Sequence, residues 1–406
     1  MNKRVVITGL GVISSLGVGW KNFWDNLLLG KSGISEISSI DTSKHFTHKG
    51  GEARNFKPEA FIEKASIPYL SRATQLAFAA SKLALNDAAL NLDECDHVSV
   101  CLGTTNGSTQ SIEHINDVIT STNGFKKLET HNELICQIPT NSTPAFISKT
   151  FNFNGTSVIF STACAAGNYA IGYGYDVIKL GRSDIVLAGG FDPFIRFAFT
   201  GFNQFSAVAP DTCRPFDKNR KGMIVAEGAG ILILESLENA LERNAHIYAE
   251  VLGYGLSCDA FHMTASSVDG IATCIKKAIQ EAGITLESVD YISAHGTGTL
   301  TNDKNECAAI KEVFGPRGKS IPVSAIKSMI GHAMGAASAL EAVTCALAVK
   351  NDIIPPTINF ETPDAECDID CVPNQARAQV VNVAINNSYA FGGNNACVVF
   401  SKYKQD

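Results

Sequence analysis

The chain has 406 residues, of which 45% are hydrophobic and 18% are charged, a balance typical of a globular protein rather than a disordered or fibrous one. The net charge is −7, and lysine and arginine are scattered singly apart from short pairs, which argues against nucleic acid as the main partner. No apolar run approaches the roughly 18 residues of a membrane helix, so we predict no membrane span.

The cysteines and the N-terminus bear on the compartment. Twelve cysteines have no regular spacing, and the closest pair, Cys367 and Cys371, has no second pair or histidine cluster to complete a zinc site. We therefore expect reduced thiols and no bound metal. The basic N-terminus runs into a short strand and a glycine turn at Gly9 rather than a long apolar signal segment, which favours a cytoplasmic protein.

Along the chain, short apolar segments alternate with longer helical patterns, which predicts an α/β fold with helix-covered sheets. Predicted strands cover residues 4–8, 97–102, 157–161, 184–188, 229–235, 248–254, 289–294, 321–325, 380–386 and 396–401. Predicted helices cover residues 21–29, 71–88, 164–180, 270–282, 304–314 and 333–349, and Gly30, Gly181 and Gly283 follow three of them as left-handed caps. Because the element order repeats after about residue 250, we predict two fused halves, residues 1–250 and 251–406.

Cys164 lies between an apolar β-branched run and a segment of small residues that is typical of a helix. A thiol at such a strand-to-helix turn meets the partial positive charge of the helix N-terminus, which favours the thiolate. A buried cysteine is more often a small hydrophobic side chain, so this residue alone indicates only a candidate nucleophile.

Three further segments carry chemistry. His295 ends an apolar strand and is followed by alternating glycine and threonine; His332 occupies a similar junction, with Lys327 five residues before it. Phe391 precedes two glycines after another strand, where backbone N–H groups could face an oxyanion. Each has a purely structural alternative, a hydrogen-bonded turn, but two histidines at equivalent strand ends are less expected by chance.

Together these segments resemble the β-ketoacyl-acyl carrier protein synthases, the condensing enzymes of the thiolase fold. The resemblance covers essentially the whole chain and is carried by residues 5–11, 162–164, 214–217, 259–264, 295–299, 355–357 and 391–393. It implies a thiolase fold with two similar halves, mixed five-stranded sheets and helices in α-β-α-β-α layers, assembled as a dimer.

The resemblance also implies the roles of individual residues. Cys164 would take an acyl group from the phosphopantetheine of an acyl carrier protein, with no cofactor bound by the chain itself. His295 and His332 would stabilise the enolate formed when malonyl carrier protein loses its carboxylate. Lys327 would order the hydrogen-bond network of the site, with Glu341 as its partner, and Thr297 and Thr299 would bind the pantetheine amides. Phe391 would control entry of the malonyl group, and its backbone N–H would form the oxyanion hole together with that of Cys164.

Departures from the fatty-acid pattern bear on the pathway. Tyr389, Ala390 and Asn394 stand where phenylalanine, glycine and threonine are usual, so gating by the neighbouring phenylalanine is expected to differ. In the region that lines the acyl pocket of relatives, the polar Gln110 and Ser111 precede Ile112. A fully reduced fatty acyl chain would prefer apolar pocket walls. Residues 225–229, 301–306 and 367–370 look most like the ketosynthase α subunit of a type II polyketide synthase. We therefore favour that pathway over fatty-acid elongation by a β-ketoacyl-acyl carrier protein synthase II.

The partners implied are the acyl carrier protein and a second subunit. Type II polyketide ketosynthases pair with a homologous chain-length factor, whereas fatty-acid relatives form homodimers. Since carrier proteins are acidic, a local basic patch is expected near the site. Candidates for this patch are Arg72, Lys126, Lys127, Arg214 and Arg220.

Three alternatives stay open. A non-catalytic chain-length factor would share the fold but typically lacks the cysteine, and a thiolase or coenzyme A-dependent condensing enzyme would replace one histidine. A papain-like protease would need a peptide cleft that no segment indicates. Relatives sometimes hold a monovalent cation near positions matching Ser293, Glu341, Asn386 and Asn387, but the residue types at the first and third of these differ, so none is predicted here.

Overall fold

The computed structural model describes residues 3–92, 95, 97–121 and 132–405, and its main feature is one path of ten hydrogen-bonded strands. In chain order they are β1 (Val5–Ser14), β2 (Val98–Gly103), β3 (Ser157–Phe160), β4 (Ile185–Asp192), β5 (Gly228–Ser236), β6 (Ala249–Cys258), β7 (Tyr291–Ser293), β8 (Val323–Ser324), β9 (Val383–Tyr389) and β10 (Asn394–Ser401). Three short strand pairings are antiparallel. Gly17–Val18 pairs with the end of β1, Ser35–Glu36 pairs with Lys49–Gly50, and Ile353–Ile354 pairs with Arg377–Ala378.

The strand order repeats. The five N-terminal strands lie side by side in the order β3-β2-β4-β5-β1, and the five C-terminal strands in the order β8-β7-β9-β10-β6. In each order the first three strands pair parallel, and the fourth and fifth strands each pair antiparallel with the strand before them. This is the expected pair of mixed five-stranded sheets. The sheets are joined because β1 and β6 pair antiparallel from Val5 opposite Val251 to Ile7 opposite Ala249. Residue 250 is the second residue of β6, and the division of the chain there stays a prediction.

The helices lie between and outside the two sheets. Their bounds are α1 (Trp20–Leu28), α2 (Arg72–Asp87), α3 (Thr109–Thr120), α4 (Asn132–Gln137), α5 (Ser142–Phe151), α6 (Ala166–Lys179), α7 (Arg196–Gln204), α8 (Leu237–Glu242), α9 (Val268–Glu281), α10 (Leu300–Phe314), α11 (Lys327–Ile330) and α12 (Ala337–Asn351). None of the helices in the described part of the chain is both long enough and apolar enough to cross a membrane.

Two helices form the central layer. α6 and α12 pack against each other, and each contacts strands of both sheets, whereas α2 covers the outer face of the first sheet and α9 that of the second. Every residue of α12 from Ala337 to Val349 is buried, as expected of a helix that is small or apolar on all sides. This layering agrees with the predicted α-β-α-β-α arrangement and brings the N-terminal ends of α6 and α12 close together.

The glycine turn predicted after residue 8 is wrong, because β1 continues to Ser14 through Gly9 and Gly11. A Cβ atom on Gly11 would lie 1.9 Å from the carbonyl oxygen of Ala80, and one on Gly9 would lie 2.4 Å from that of Ala84. These glycines are therefore needed for the close approach of α2 to the strand rather than for a turn.

Other boundaries differ from the prediction for local reasons. The helices predicted from residues 164 and 333 begin with 3₁₀ turns, Ala163–Ala165 and Met334–Ala336, and α10 starts at Leu300, four residues early. The sequence patterns do not predict helices α3, α4, α5, α7, α8 and α11, each of which has 12 residues or fewer. The left-handed caps at Gly30, Gly181 and Gly283 are confirmed, with φ of 63°, 69° and 64°.

The contact between β1 and α2 makes a stability prediction. Gly11→Ala should lower the free energy of unfolding by about 1–3 kcal/mol, because the added methyl group forces the strand and helix apart. The measurement is chemical denaturation followed by circular dichroism. Gly201→Ala is the matched control, since a Cβ there meets no atom within 4 Å. Equal midpoints for the two variants would contradict this account of Gly11.

Candidate active site

Cys164 lies where the chain leaves β3 and enters α6. It is the middle residue of the 3₁₀ turn Ala163–Ala165, and Ala163 takes a left-handed φ of 50° to make the sharp bend. The first N–H groups of such a turn have no partner within it and are free to face a ligand. The hydroxyl of Ser388 donates to the carbonyl oxygen of Cys164 at 3.0 Å, so β9 of the second sheet holds this turn in place.

The thiol of Cys164 is 7% exposed, and this burial raises its pKa to about 12. The Lys327 ammonium opposes the shift, whereas the carboxylates of Asp192 and Glu341 add to it. The sequence argument that a helix N-terminus favours the thiolate is therefore outweighed by desolvation. The resting side chain is a neutral thiol, and it must lose its proton as it attacks.

His295 is held by its backbone directly after β7. Its N–H donates to Oε1 of Glu306 and the N–H of Gly296 donates to Oε2, both at 2.8 Å. Glu306 is fully buried on α10, and burial raises its pKa to about 8 although the two N–H groups oppose that shift. Sequence reasoning missed this positioning residue, because α10 also carries Asp303 and Glu312 and no local pattern distinguishes Glu306 from them.

His332 belongs to the second half of the chain but is held by the first. Its N–H donates to the carbonyl of Ile224 at 2.6 Å, and its carbonyl accepts from the N–H of Ala226 at 2.9 Å. The N–H of Met334 donates to the ring Nδ1 at 3.1 Å. Since Nδ1 accepts a hydrogen bond, a neutral ring carries its proton on Nε2.

Lys327 is completely buried between the first histidine and an acidic partner. Its Nζ lies 3.4 Å from Nδ1 of His295 and forms an ion pair with Glu341 on α12. The ammonium can only donate, so His295 also carries its proton on Nε2. Burial first, and then the Lys327 charge, hold the pKa of both His295 and His332 well below the ordinary value, so both rings are neutral.

The three side chains converge. Sγ of Cys164 and one ring nitrogen each of His295 and His332 all lie within 4.8 Å of one another, and the two imidazole centroids are 5.5 Å apart. Such a group could in principle bind zinc, but a metal-binding histidine normally donates its second N–H to an acceptor. Here both Nδ1 atoms receive a hydrogen bond instead, so the arrangement suits two Nε2–H donors aimed at an oxyanion.

A second polar cluster lies behind the site. Among the described residues, the buried polar atoms without a hydrogen-bond partner include Oγ of Ser293, Oε2 of Glu341, Oδ1 of Asn386, and both side-chain polar atoms of Asn387. Oxygen atoms of this kind suit a hard cation or an ordered water. These residues therefore fit the structural cation of relatives better than their types suggested, although the expectation of no bound metal stays a prediction.

Asp192, at the end of β4, is another buried acid that sequence reasoning missed. It accepts hydrogen bonds from the hydroxyl of Thr104 and from the N–H groups of Thr105, Asn106 and Gly335, at 2.6–2.8 Å. Burial raises its pKa to about 6 against the effect of these donors. It thereby ties the turn that follows His332 to the loop after β2.

A cavity of about 360 Å³ leads from the surface to Cys164. Thr297 and Thr299 line it, with their hydroxyl oxygens 2.9 Å apart, and so does Phe391, which is 37% exposed and packs against Phe202 at a centroid distance of 5.7 Å. Both predicted pantetheine-binding residues and the predicted gate are thus placed in one cavity with the cysteine and the two histidines.

The segment from Ala390 to Gly393, which contains the predicted gate, requires glycine at two backbone positions. Ala390 is extended, with φ of −122°, whereas Gly392 and Gly393 both have φ of 81°, which favours glycine. Alanine at position 390 is therefore unstrained in this conformation. The expectation that it alters gating stays a prediction.

Gln110, Ser111 and Ile112 are placed differently from expectation. They lie at the start of α3, where the first two line a separate cavity of about 380 Å³ and the third is exposed. Oγ of Ser111 donates to Gln137 at 2.7 Å. Within the described residues this cavity shares no lining residue with the one that contains Cys164, so a single chain does not bring these residues to the site.

The three described residues of the predicted basic patch are each paired with a carboxylate. Arg220 is buried and paired with Asp364 at 2.5 Å, so its prediction as a surface docking residue is wrong. Arg72 pairs with Glu227 at 2.7 Å, and Arg214 pairs with Glu361 at 2.9 Å. Lys126 and Lys127 lie outside the described residues.

The histidine geometry makes a spectroscopic prediction. In ¹⁵N-histidine-labelled protein, His295 and His332 should both show the Nε2–H tautomer and stay neutral as the pH falls from 8 to about 6, because their pKa values are lowered. In Lys327→Met, the signature of His295 should change while that of His332 persists, since the Met334 N–H still holds its Nδ1. Protonation of either ring near pH 6.5 in the parent protein would contradict this geometry.

The comparisons with known proteins agree with this site. Residues 2–240 match the N-terminal domain and residues 248–361 the C-terminal domain of the beta-ketoacyl synthase family. The chain is 37% identical over 425 residues to 3-oxoacyl-[acyl-carrier-protein] synthase 2 of Staphylococcus aureus (strain COL), and 38% identical over 413 residues to that of Synechocystis sp., covering 99% of each chain in both comparisons.

Two solved structures are similar over the full length. A chain of the ishigamide ketosynthase/chain length factor superposes with a TM-score of 0.96 at 44% identity. A chain of AntDE:AntF, a type II polyketide synthase acyl-carrier protein in complex with its ketosynthase bound to the hexaketide, superposes with a TM-score of 0.90 at 34% identity. Both comparisons cover 100% of each chain. The thiolase-type fold, the converging cysteine and histidines and these matches together show that the chain belongs to the β-ketoacyl synthase family and is a ketosynthase, a condensing acyltransferase.

Proposed function

We propose that this ketosynthase is the catalytic α subunit of a type II polyketide synthase, which condenses malonyl-acyl carrier protein with an acyl chain held on Cys164. The observation that carries the proposal is the convergence of the Cys164 thiol with two neutral imidazoles within 4.8 Å. A thiol is an acyl acceptor, and two N–H donors stabilise the negative charge of an enolate.

In the first half-reaction, Sγ of Cys164 attacks the carbonyl carbon of an acyl thioester on the carrier. The new C–S bond to the enzyme forms as the bond to the pantetheine sulfur breaks, and the thiol proton leaves with the pantetheine thiolate. The developing oxyanion would be held by the backbone N–H groups of Cys164 and Phe391, each near the start of a 3₁₀ turn. Because burial raises the pKa of the thiol, loss of its proton during the attack is favoured over loss before it.

In the second half-reaction, malonyl carrier protein loses carbon dioxide and its thioester oxygen gains negative charge. The Nε2–H groups of His295 and His332 would donate to that oxygen, and neutral rings are suited to this task because they need not give up a proton. The enolate carbon then attacks the acyl thioester of Cys164, and the cysteine leaves as a thiolate, which takes up one proton from water to return to the resting thiol. The 3-ketoacyl product is two carbons longer and remains on the carrier.

The assignment to a polyketide pathway rests on relatives and on the cysteine. The 44% identity to a chain of the ishigamide ketosynthase/chain length factor exceeds the 37–38% identity to the fatty-acid synthases. Chain-length factors typically replace the cysteine, so Cys164 favours the catalytic subunit. Elongation of fatty acids by a β-ketoacyl-acyl carrier protein synthase II is the second candidate, supported by the curated relatives.

The proposed partners follow from this assignment. They are an acyl carrier protein, which brings the phosphopantetheine so that the chain binds no cofactor of its own, and a homologous chain-length factor. The second subunit would pair along β3, an edge strand of the first sheet whose Ser157 is exposed and whose Phe160 is only half-buried.

The nucleophile assignment is tested by mass spectrometry of the intact protein after incubation with acyl carrier protein. The parent protein should gain the mass of one acyl group, and Cys164→Ala should gain none, because the acceptor sulfur is lost. Cys258→Ala is the matched control, since its thiol is exposed and outside the proposed machinery. An acyl adduct on Cys164→Ala would contradict the assignment.

The pathway is tested by the products formed from malonyl carrier protein. With a chain-length factor and a polyketide carrier protein, we expect chains extended over several condensations, at a rate at least about tenfold above that with a fatty-acid carrier protein alone. Products are released by base and measured by mass spectrometry. Efficient elongation with the fatty-acid carrier and no second subunit would favour the fatty-acid candidate.

A further inference from the structure

The cavity that leads to Cys164 has an unusual distribution of charge. Its 21 lining residues in the described part of the chain include one lysine, Lys221, and no carboxylate or arginine. The remaining polar side chains are mainly threonine, serine, asparagine and the two histidines, and both histidines are neutral. A negatively charged group entering this cavity would meet a single full positive charge.

Lys221 is fixed beside the threonines that match the pantetheine-binding positions. The N–H of Gly222 donates to the carbonyl oxygen of Gly298 at 2.9 Å, and Gly298 lies between Thr297 and Thr299. The next residue, Met223, donates its N–H to the carbonyl oxygen of Ala207 at 2.9 Å and accepts from the N–H of Ala209 at 2.8 Å. The backbone that carries Lys221 is therefore anchored on both sides, next to the threonines.

The charge of Lys221 is available to a ligand. Its side chain is exposed, and it forms no ion pair with any residue that the structure describes. The two nearby arginines differ, because Arg220 is buried against Asp364 and Arg214 is paired with Glu361. The ion-paired lysines of the described chain, such as Lys304 with Glu366, differ from Lys221 because an acidic partner competes for their charge.

We propose that Lys221 binds the phosphate of the phosphopantetheine arm, an inference that rests on the proposed function and adds a binding site to it. The arm carries its thioester at one end, two amides in the middle and a phosphate at the other end. Within the same cavity, Cys164 and Thr297 are buried, Thr299 is half-buried and Lys221 is exposed, which suits a ligand whose thioester is inside and whose phosphate is near solvent. A lysine ammonium is a compact charge that suits a phosphate oxygen.

Because the phosphate is remote from the reacting carbonyl, this contact acts on substrate binding rather than on chemistry. It binds the ground state and the transition state equally, so its loss raises KM and leaves kcat unchanged. For a solvent-accessible contact between opposite charges, the expected change is about three- to tenfold.

The test compares two small probes, 4′-phosphopantetheine and pantetheine, which differ only in the phosphate. Their dissociation constants are measured by isothermal titration calorimetry for the parent protein, Lys221→Gln, Lys221→Arg and Lys221→Glu. The parent protein and Lys221→Arg should prefer the phosphorylated probe about three- to tenfold. The preference should vanish in Lys221→Gln and reverse in Lys221→Glu. An equal preference in the parent protein and Lys221→Gln would overturn the proposal.

Lys276→Gln is the matched control, since Lys276 is an exposed lysine on the outer helix α9, paired with Glu312 and outside the cavity. It should keep the full phosphate preference, and all variants should keep the parent melting temperature. Loss of the preference in Lys276→Gln as well would overturn the proposal, because it would indicate a general charge effect.

Coenzyme A also presents a phosphate at this end of pantetheine, so the source of the phosphate is tested by kinetics with acyl carrier protein. Lys221→Gln should raise the KM for the acyl carrier protein about three- to tenfold at constant kcat. An unchanged KM for the carrier, with weaker binding of coenzyme A alone, would overturn the assignment to the carrier-borne arm. Failure of the proposed function would be seen separately, as a parent protein that gains no acyl group at Cys164.

Discussion

A single buried ammonium, that of Lys327, sets the electrostatics of the whole site. A charge without exposure to water is tolerated only when it is paired, and Glu341 supplies that pairing from α12. The ammonium then donates toward Nδ1 of His295, which fixes its tautomer. Its charge adds to burial, the larger cause, in lowering the pKa of both imidazoles, and it opposes the rise in the pKa of the Cys164 thiol. Removing it would release Nδ1 of His295 and take away a positive charge that acts on His332 and Cys164, while the tautomer of His332 would still be held by Met334.

The second constraint is that residues of each half of the chain hold site residues of the other half. His332 is fixed by backbone bonds to Ile224 and Ala226, and the turn at Cys164 is held by Ser388. The carboxylate of Asp192 similarly joins the loop after β2 to Gly335. The central helices must therefore be packed before the thiol and the imidazoles meet, so folding and assembly of the site are one event.

Much of this arrangement could be predicted because the motifs lie at strand ends, where chain order and sheet geometry leave few alternatives. Cys164, His295, His332, Thr297, Thr299 and Phe391 do share one cavity, and their roles are proposals that follow from it. Glu306 and Asp192 were missed because a buried acid gives no periodic signal; its function is visible only from the N–H groups around it. Arg220 was misplaced because sequence does not show that its charge is neutralised inside the protein.

The sequence by itself determined the family, the α/β class and the identity of the side chains that meet, since these depend on local patterns and on motif order. Only the tertiary structure decided their electrostatic states. Burial makes the Cys164 thiol neutral against the expectation from its helix, and hydrogen bonds from Met334 and Lys327 select the Nε2–H tautomers. It also decided which basic side chain faces the cavity, because Arg214 and Arg220 are paired with carboxylates whereas Lys221 lines the cavity. Desolvation and pairing depend on residues distant in sequence, so no local pattern could reveal them.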